Sequence, residues 1–469
     1  MAQPVPVALG AVLQPRQNAV IQRSGTVAHV AVQIEATEKG RLFARVKRDG
    51  STLSKFDWRT IGQSNGTLAT GVIESLPVGG EYTVEFELRN FRGVVLGKAS
   101  VKGLLVGDLW ILGGQSNMDG YGKLVGTETP SKHVHAFYFD DRWDLAADPL
   151  CWYNEAVDSV HWFTADPVER AKAAKNDRIF RQQGAGLAVS FGKTMVKRTE
   201  VPVGLIVCSH GGTSMEQWDP GKLELGGASL YGSMIRRVQA VGGKVAGMLW
   251  YQGESDANKD ALPHFHSRMV NFVKAIRKDL GAPKMPFLYV QIGPFFTGGE
   301  IAPYWNGLQA DQLAQEKELA PALMTTAIDL GLDDAIHIST QGQRRLGKRM
   351  AHLAEILAHG RTSLRKGPRP ANIRFSDKNR TILRVHYSDV NSELYPKRDV
   401  RGFWARFEGK DLAILKQEVD LEKPDTVVLT FAEPVPKKAE LWYGIGVNPA
   451  VNLVDEADMA APMFGPVVI

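Results

Sequence analysis

The sequence predicts an α/β protein in which a parallel sheet, covered by helices on both faces, lies between two β-rich regions. Between residues 104 and 362, compact apolar runs alternate with amphipathic stretches of helical periodicity, which is typical of such a covered sheet. Before and after this region, short runs alternate apolar and polar residues, as half-buried strands do. Prolines and glycines near residue 365 mark the second change of pattern. We therefore expect a β-rich region over 1–103, an α/β core over 104–362 and a second β-rich region over 363–469.

The two flanking regions are expected to resemble small β-sandwiches. In the first, Gly40, Gly50 and the pair Gly79-Gly80 separate the alternating runs TVAHVAVQIEA, RLFARVKRDG, EYTVEFELRNF and GVVLGKASVKG. In the second, the same alternation occurs in TILRVHY, GFWARFEG, TVVLTFA and AELWYGIG.

The core is expected to contain five buried strands, in the runs DLWILGG, VPVGLIVCSHGG, VAGMLWYQGE, MPFLYVQIGP and ALMTTAIDLG. Five helical stretches alternate with them: GLAVSFGKTMVKR, SLYGSMIRRVQAV, FHSRMVNFVKAIRKDL, LQADQLAQEKELA and TQGQRRLGKRMAHLAEILAHG. The last helix is expected to end at Gly360. Residues 123–183 form a long, aromatic-rich and irregular segment, which we expect at the mouth of the site.

Composition excludes several classes of function. The formal net charge of +5 is small for 469 residues and no basic run occurs, so the sequence does not indicate a nucleic-acid partner. It has no apolar run of about 18 residues that predicts a membrane span, and its first twenty residues lack the pattern of a signal peptide. The two cysteines, Cys151 and Cys208, are expected to be buried free thiols, with a disulfide as the alternative.

Ligands bind beyond the carboxyl ends of the strands in an open parallel sheet, and the first strand ends in Gly-Gly-Gln115-Ser116-Asn117. Glycines before a serine at a strand-to-helix turn permit close backbone approach and an exposed hydroxyl. The helix start directs N–H groups at a developing oxyanion. This turn predicts Ser116 as a nucleophile supported by its neighbours, with a simple helix cap as the alternative.

The second and third strand ends predict groups that surround this serine. Gly211 and Gly212 follow the second strand and can donate a backbone N–H to an oxyanion, or form only a tight turn. His210 precedes them and is expected to be packed rather than to act as a base. Gln252 follows the third strand as a possible amide donor, and Glu254 is expected to join loops or to accept from the side chain of Asn117.

The fifth strand leads to the sequence Asp333-Asp334-Ala-Ile-His337. An aspartate three residues before a histidine can bond the imidazole Nδ1 and leave Nε2 for a nucleophile. Asp334 has this spacing, and Asp333 and Asp329 are the alternatives. No HExxH pattern or other zinc spacing occurs, nor a GxGxxG or P-loop motif after a strand, so we expect no metal and no cofactor.

Four motifs in order, GGQSNM, HGGTSMEQW, WYQGES and DDAIH, resemble those of the SGNH-type hydrolases. The resemblance extends over residues 104–360 and is strongest to the sialate O-acetylesterase-like carbohydrate acetylesterases. It implies a flavodoxin-like three-layer core and a serine esterase that releases acetyl groups from a carbohydrate. The sequence departs from the family at Ile338 and Ser339, since many members have proline after the catalytic histidine.

The same resemblance implies a role for each motif residue. Ser116 is the nucleophile, and His337 and Asp334 complete the catalytic set. The N–H of Ser116, a glycine N–H, with Gly212 favoured over Gly211, and the Gln252 amide form the oxyanion hole.

For the sugar, Trp218 and Trp305 are candidate stacking surfaces near the strand ends. The aromatic residues of the long segment, Trp143, Trp152, Tyr153 and Trp162, are either further stacking surfaces or a cluster that stabilises the segment. Two other functions compete with the esterase: a carbohydrate-binding protein with a vestigial hydrolase core, and a short-chain carboxylesterase or lipase. An acetylated polysaccharide substrate implies the periplasm or the cell exterior.

Overall fold

The structure, a computed structural model, describes residues 8–469. Among these residues, no helix is both long enough and apolar enough to cross a membrane. Cys151 and Cys208 are both buried and carry free thiols, as predicted.

The N-terminal region is a β-sheet in which buried and exposed residues alternate along the longer strands. Its strands are β1 (Leu9–Gln14), β2 (Val20–Gln22), β3 (Val27–Ala36), β4 (Lys39–Arg48), β5 (Ser51–Thr52), β6 (Arg59–Asn65), β7 (Leu68–Pro77), β8 (Gly79–Arg89) and β9 (Val95–Gly114). They follow one hydrogen-bonded path, β1-β3-β7-β6-β4-β8-β9, with β2 beside β9 and β5 beside β4. The strands of this β-rich region thus pair along one continuous path, and its sandwich-like packing stays a prediction.

Strand β9 passes from the N-terminal sheet into the core without a linker. Its first half pairs antiparallel with β8, and burial there is intermittent. From Leu104 to Gly114 every residue is buried, because the end of β9 lies in the middle of the core sheet. The boundary expected at residue 103 thus falls inside one strand, at the point where burial changes from partial to complete.

The core comprises, in chain order, α1 (Ser116–Asp119), β10 (Gly122–Lys123), β11 (Val134–Phe137), β12 (Trp143–Leu145), α2 (Pro167–Phe180), β13 (Gln183–Ala185), α3 (Leu187–Thr199), β14 (Val203–Val207), α4 (Leu230–Ala240), β15 (Gly247–Tyr251), α5 (Leu262–Asp279), β16 (Phe287–Gln291), α6 (Ala302–Ala314), β17 (Ala322–Thr326) and α7 (Thr340–Ala358). The five predicted strands are β9, β14, β15, β16 and β17, all parallel in the order β14-β9-β15-β16-β17. The five predicted helices are α3 to α7.

The segment expected to be irregular contains regular structure. β11 adds a sixth parallel strand beside β14, and β12 pairs antiparallel with β11 at the edge. α2 is a helix of 14 residues with no buried side chain. Its sequence therefore lacks the apolar periodicity that would have predicted it.

The C-terminal region is again β-rich. Its strands are β18 (Arg369–Phe375), β19 (Ile382–Ser388), β20 (Leu394–Tyr395), β21 (Phe403–Phe407), β22 (Lys410–Asp411), β23 (Ile414–Val419), β24 (Thr426–Phe431), β25 (Glu440–Tyr443), β26 (Val454–Asp455) and β27 (Phe464–Val468). They form two four-stranded sheets, β18-β19-β24-β23 and β22-β21-β25-β27, and the pair β20-β26. A hydrophobic core distinct from that of the rest of the molecule fills this region.

Candidate active site

Ser116 lies at the first position of α1, directly after the central strand β9. Gly114 makes this turn with φ +128, and a Cβ there would lie 2.1 Å from the carbonyl oxygen of Tyr251. Only glycine therefore lets the end of β9 lie this close to β15. Ser116 keeps 9% of its surface exposed. Within residues 8–469 its hydroxyl makes no hydrogen bond to another group, and in enzymes such bonds often tighten only once substrate is bound.

His337 is held by Asp334 in the geometry that the spacing predicted. The carboxylate Oδ2 lies 2.7 Å from the imidazole Nδ1, and Oδ1 accepts the backbone N–H groups of Ile336 and His337 at 2.9 and 2.8 Å. Burial raises the pKa of Asp334, but these bonds outweigh it, so the pKa lies below its ordinary value. The carboxylate thus fixes the proton on Nδ1 and leaves Nε2 as the basic nitrogen.

The two alternative aspartates bond other groups. Asp333 accepts the backbone N–H groups of Lys123 and Thr340 at 2.8 and 3.0 Å. Asp329 forms a buried ion pair with Arg349 at 2.7 Å. Asp334 alone among the three contacts the imidazole of His337.

Asn117 connects the serine turn to the histidine loop. Its Nδ2 donates to Glu254 Oε1 at 2.8 Å, as predicted, and to the carbonyl of Ile336 at 3.3 Å. Its Oδ1 accepts the N–H of Ile338 at 2.9 Å. The residue after the serine therefore bonds the backbone on both sides of His337, and the first and last strand ends lie together at one rim of the sheet.

The loop after β14 presents two glycines that are bonded differently. The N–H of Gly211 donates to the hydroxyl of Tyr153 at 2.8 Å. The N–H of Gly212 has no acceptor among the described residues, and with φ +69 its Cα faces open space. The tyrosine hydroxyl donates in turn to the buried carboxylate of Asp119, whose pKa burial raises to about 6. Gly212 is therefore the glycine with a free donor.

His210 is packed, as expected. Its ring stacks on that of Tyr153 at 4.4 Å, and its Nδ1 lies 3.0 Å from the Nδ1 of His161. Burial lowers the pKa of His210 to about 4, so the ring is neutral over the physiological range.

A model of the carbohydrate esterase, sialic acid-specific acetylesterase family matches residues 106–355, more than half of the chain. The chain belongs to this family. The esterase is 27% identical over 260 residues to a probable carbohydrate esterase of Arabidopsis thaliana. The aligned region covers 52% of this chain and 88% of that relative. It also shares its fold with a crystal structure of a carbohydrate acetylesterase from Xanthomonas citri, at a TM-score of 0.66, 22% identity and coverage of 97% and 99% of the two chains. The protein is thus a carbohydrate O-acetylesterase.

Gln252 does not have the role in the esterase that the resemblance implied. Its side chain is fully buried, and its Nε2 donates to Asp256 Oδ2 at 2.5 Å and to the carbonyl of Thr213 at 3.0 Å. Because both amide hydrogens are used, the prediction that it donates to an oxyanion is wrong. Gln115 has a similar structural role, accepting the N–H of Ser255 at 3.2 Å.

Trp218 and Trp305 were predicted to stack on sugar, and this prediction is also wrong. Their exposed fractions are 0% and 1%. Trp218 packs against Trp250 and donates to Thr213 Oγ1, and Trp305 donates to the carbonyl of Gly293. Both are core residues under the loops.

The tryptophans of the long segment stabilise it rather than face solvent. Trp143 and Trp152 are buried, and guanidinium groups of Arg178 and Arg170 cover Trp152 and Trp162 at 3.8 and 3.7 Å from the ring centroids. The alternative interpretation, a local cluster, therefore describes them.

Sequence reasoning missed two site residues, Tyr121 and Asp119. The Tyr121 ring stacks on the imidazole of His337, with centroids 4.5 Å apart and planes 21° apart. Asp119 is the buried end of the chain through Tyr153 to the Gly211 N–H. Both lie within five residues of Ser116, but no spacing rule marks them.

Proposed function

We propose that the esterase removes acetyl groups through a covalent acetyl-Ser116 intermediate, with His337 as general base and Asp334 as its orienting carboxylate. The observation that supports this proposal is that two residues, Asp334 and Asn117, fix the position of His337 by hydrogen bonds. Asp334 bonds its Nδ1, and Asn117, next to the proposed nucleophile, bonds the backbone on either side of it. The resulting base has a free Nε2 and lies at the same rim of the sheet as Ser116.

In the proposed reaction, Ser116 Oγ attacks the acetyl carbonyl carbon while His337 Nε2 takes the hydroxyl proton. The tetrahedral intermediate then expels the sugar oxygen, which receives that proton from the imidazolium. Water, deprotonated by the same nitrogen, attacks the acetyl-serine, releases acetate and restores the hydroxyl. No further reactant is needed.

The N–H groups of Ser116 and Gly212 are the proposed oxyanion donors. The hydroxyl of Tyr153 accepts the N–H of Gly211 and so fixes the turn. The N–H of Gly212 remains free to donate to the substrate. Preorganised donors of this kind stabilise the intermediate because they need no reorientation during the reaction. We expect Tyr153→Phe to lower kcat about 10-fold at unchanged KM, the effect of losing one hydrogen bond.

The proposed substrate is an O-acetylated sialic acid or plant or microbial polysaccharide, processed in the periplasm or outside the cell. We also propose that the core has the flavodoxin-like, three-layer arrangement of SGNH-type hydrolases, with the three regions 1–103, 104–362 and 363–469.

The test is acetate release by Ser116→Ala from a panel of acetylated glycans and from 4-nitrophenyl acetate. We expect a loss of about 10⁴-fold or more with an unchanged circular dichroism spectrum. Ser51→Ala, at an exposed serine in β5, is the control and should retain full activity. Near-normal hydrolysis of 4-nitrophenyl acetate by Ser116→Ala would refute the nucleophile assignment.

A further inference from the structure

We propose that the cavity beside His337 binds several consecutive sugar residues, so that the esterase recognises an acetylated oligosaccharide chain and not a single sugar. This inference rests on the proposed function, because it places the acetyl group at Ser116 and the rest of the substrate in the cavity.

The cavity is lined by residues that contact the proposed catalytic groups. Tyr121 lines it and stacks on the imidazole of His337. Tyr153, which holds the oxyanion turn, lines it as well. Gln183 is a third lining residue, and its Nε2 lies 3.5 Å from Asp334 Oδ2. A sugar whose acetyl group reaches Ser116 therefore has this space as its neighbour.

The size of the cavity exceeds what one sugar needs. Its volume is about 900 Å³, near the upper end of the roughly 300–1,000 Å³ found for pockets that enclose drug-sized ligands. An acetyl group with a single pyranose ring fills only part of such a volume. The remainder is available to neighbouring residues of a chain.

Two phenylalanines on the wall of the cavity are exposed to an unusual degree. Phe163 and Phe180 line it and have exposed fractions of 77% and 70%. Exposed large apolar groups gathered around one opening mark a binding surface. The C–H faces of sugar rings pack on aromatic rings, and the tryptophans nearby are already covered by arginines.

Polar groups that suit sugar hydroxyls line the same cavity as these rings. Arg181 is held by its bonds to the carbonyls of Cys151 and Gln183, and among the described residues it has no carboxylate partner. Asp177 and Asn176 also line the cavity and supply acceptors and an amide. Hydroxyls both donate and accept, so a wall carrying both kinds of group fits them.

Helix α2 supports the same conclusion because its contacts with the aromatic cluster beneath it are made by arginine side chains. None of its residues is buried, yet it contributes Asn176, Asp177 and Phe180 to the cavity. The helix is attached to the preceding segment by the hydrogen bond from Asn154 to Asp177 and by the ion pair of Arg178 with Glu155. A helix anchored in this way, but not packed into the core, is explained by the surface that it presents.

The experiment compares the wild type, the double variant Phe163→Ala/Phe180→Ala and the control Phe91→Ala, whose phenylalanine is 72% exposed in the N-terminal region. The probes are chemically acetylated oligomers of xylose and of sialic acid, one to six residues long, and 4-nitrophenyl acetate. For the sugar backbone that the esterase deacetylates, we expect the wild-type kcat/KM to rise about 10-fold or more as the oligomer lengthens from one residue to four. A 10-fold rise is equivalent to about 1.4 kcal/mol. The double variant should lose this rise, and Phe91→Ala should hydrolyse the oligomers and 4-nitrophenyl acetate as the wild type does.

Three results would overturn the inference: a kcat/KM independent of chain length, a double variant that behaves like Phe91→Ala, or hydrolysis of none of the oligomers. In each of these cases, the proposed function stands if the wild type hydrolyses 4-nitrophenyl acetate and Ser116→Ala does not. Loss of that dependence would instead refute the proposed function.

Discussion

At the residue scale, the site depends on side chains that each bond more than one element. Asn117 bonds Glu254 through Nδ2 and the histidine loop through both of its polar atoms. Burial raises the pKa of Glu254, and the bond from Asn117 partly offsets this. Asp334 accepts two backbone N–H groups with one oxygen and the imidazole with the other. The orientation of His337 is therefore set before substrate arrives, which is what a positioned general base requires.

The roles of the two adjacent aspartates lead to a prediction. Asp334→Asn should lower kcat about 10⁴-fold, because an amide cannot stabilise the imidazolium and favours the wrong tautomer. Asp333→Asn is the matched control, since that carboxylate bonds only the N–H of Lys123 and groups of Thr340. It should leave kcat within a few-fold of the wild type. The assay is hydrolysis of 4-nitrophenyl acetate, and equal losses in both variants would contradict the assignment.

The candidate site residues were predictable from sequence where spacing determines contact. An aspartate three positions before a histidine meets it through local backbone geometry, and serine and glycine turns at strand ends meet because the strands are parallel. The predictions for Gln252 and Trp218 failed because the Thr213 carbonyl that binds Gln252 and the Trp250 ring that packs on Trp218 are remote from them in sequence. The chain from Asp119 to Gly211 was missed for the same reason, since Tyr153 comes from the long segment.

At the scale of elements, the core strands and helices were predicted because burial on both faces gives strands continuous apolar runs. The fit of the serine turn depends on Gly114, which gives β9 and β15 their close approach. The elements that sequence reasoning missed, β11 and α2, lack such patterns. β11 has four residues, and no side chain of α2 is buried.

Gly114→Ala should destabilise the esterase by more than about 3 kcal/mol, because the new Cβ would lie 2.1 Å from a carbonyl oxygen in addition to the strain of a positive φ. Gly242→Ala is the matched control: its φ is +110, but a Cβ there meets nothing within 4 Å. Strain alone should cost the control about 1–2 kcal/mol. Urea unfolding measures the free energy of unfolding of both variants. Similar decreases in the two would show that the close approach of β9 and β15 at Gly114 is unimportant.

At the scale of the whole molecule, the C-terminal region is joined to the core by buried polar groups. Glu316, just after α6, bonds Arg369 and Lys366 at 2.8 Å each. Gln291, at the end of β16, exchanges two hydrogen bonds with the backbone of Met463. The alternating patterns of the flanking regions predicted their strands, but these contacts join residues far apart in sequence and no local pattern reports them.

The Glu316 cluster predicts a pH-dependent stability. Burial raises the pKa of Glu316, but Arg369 and Lys366 outweigh it and bring the pKa to about 2, against an ordinary value of 4.5. A lowered folded-state pKa stabilises the protein above pH 4.5, and this contribution is lost as pH falls towards 2. The difference corresponds to about 3 kcal/mol.

Glu316→Gln should therefore lower the free energy of unfolding by about 3 kcal/mol at pH 7, and its deficit should shrink as the pH is lowered from 4.5. Glu318→Gln is the control, because its side chain is 48% exposed and bonds only His266. Urea unfolding across this pH range measures both. A deficit that does not change with pH would contradict the assigned ion pairs.

The central claim is that His337 activates Ser116, and fluorophosphonate labelling followed by peptide mass spectrometry tests it most directly. The account predicts one adduct, on the peptide that contains Ser116, formed rapidly by the wild type, far more slowly by His337→Ala and not at all by Ser116→Ala. An adduct on another residue, or labelling of Ser116 at the same rate in His337→Ala, would contradict it.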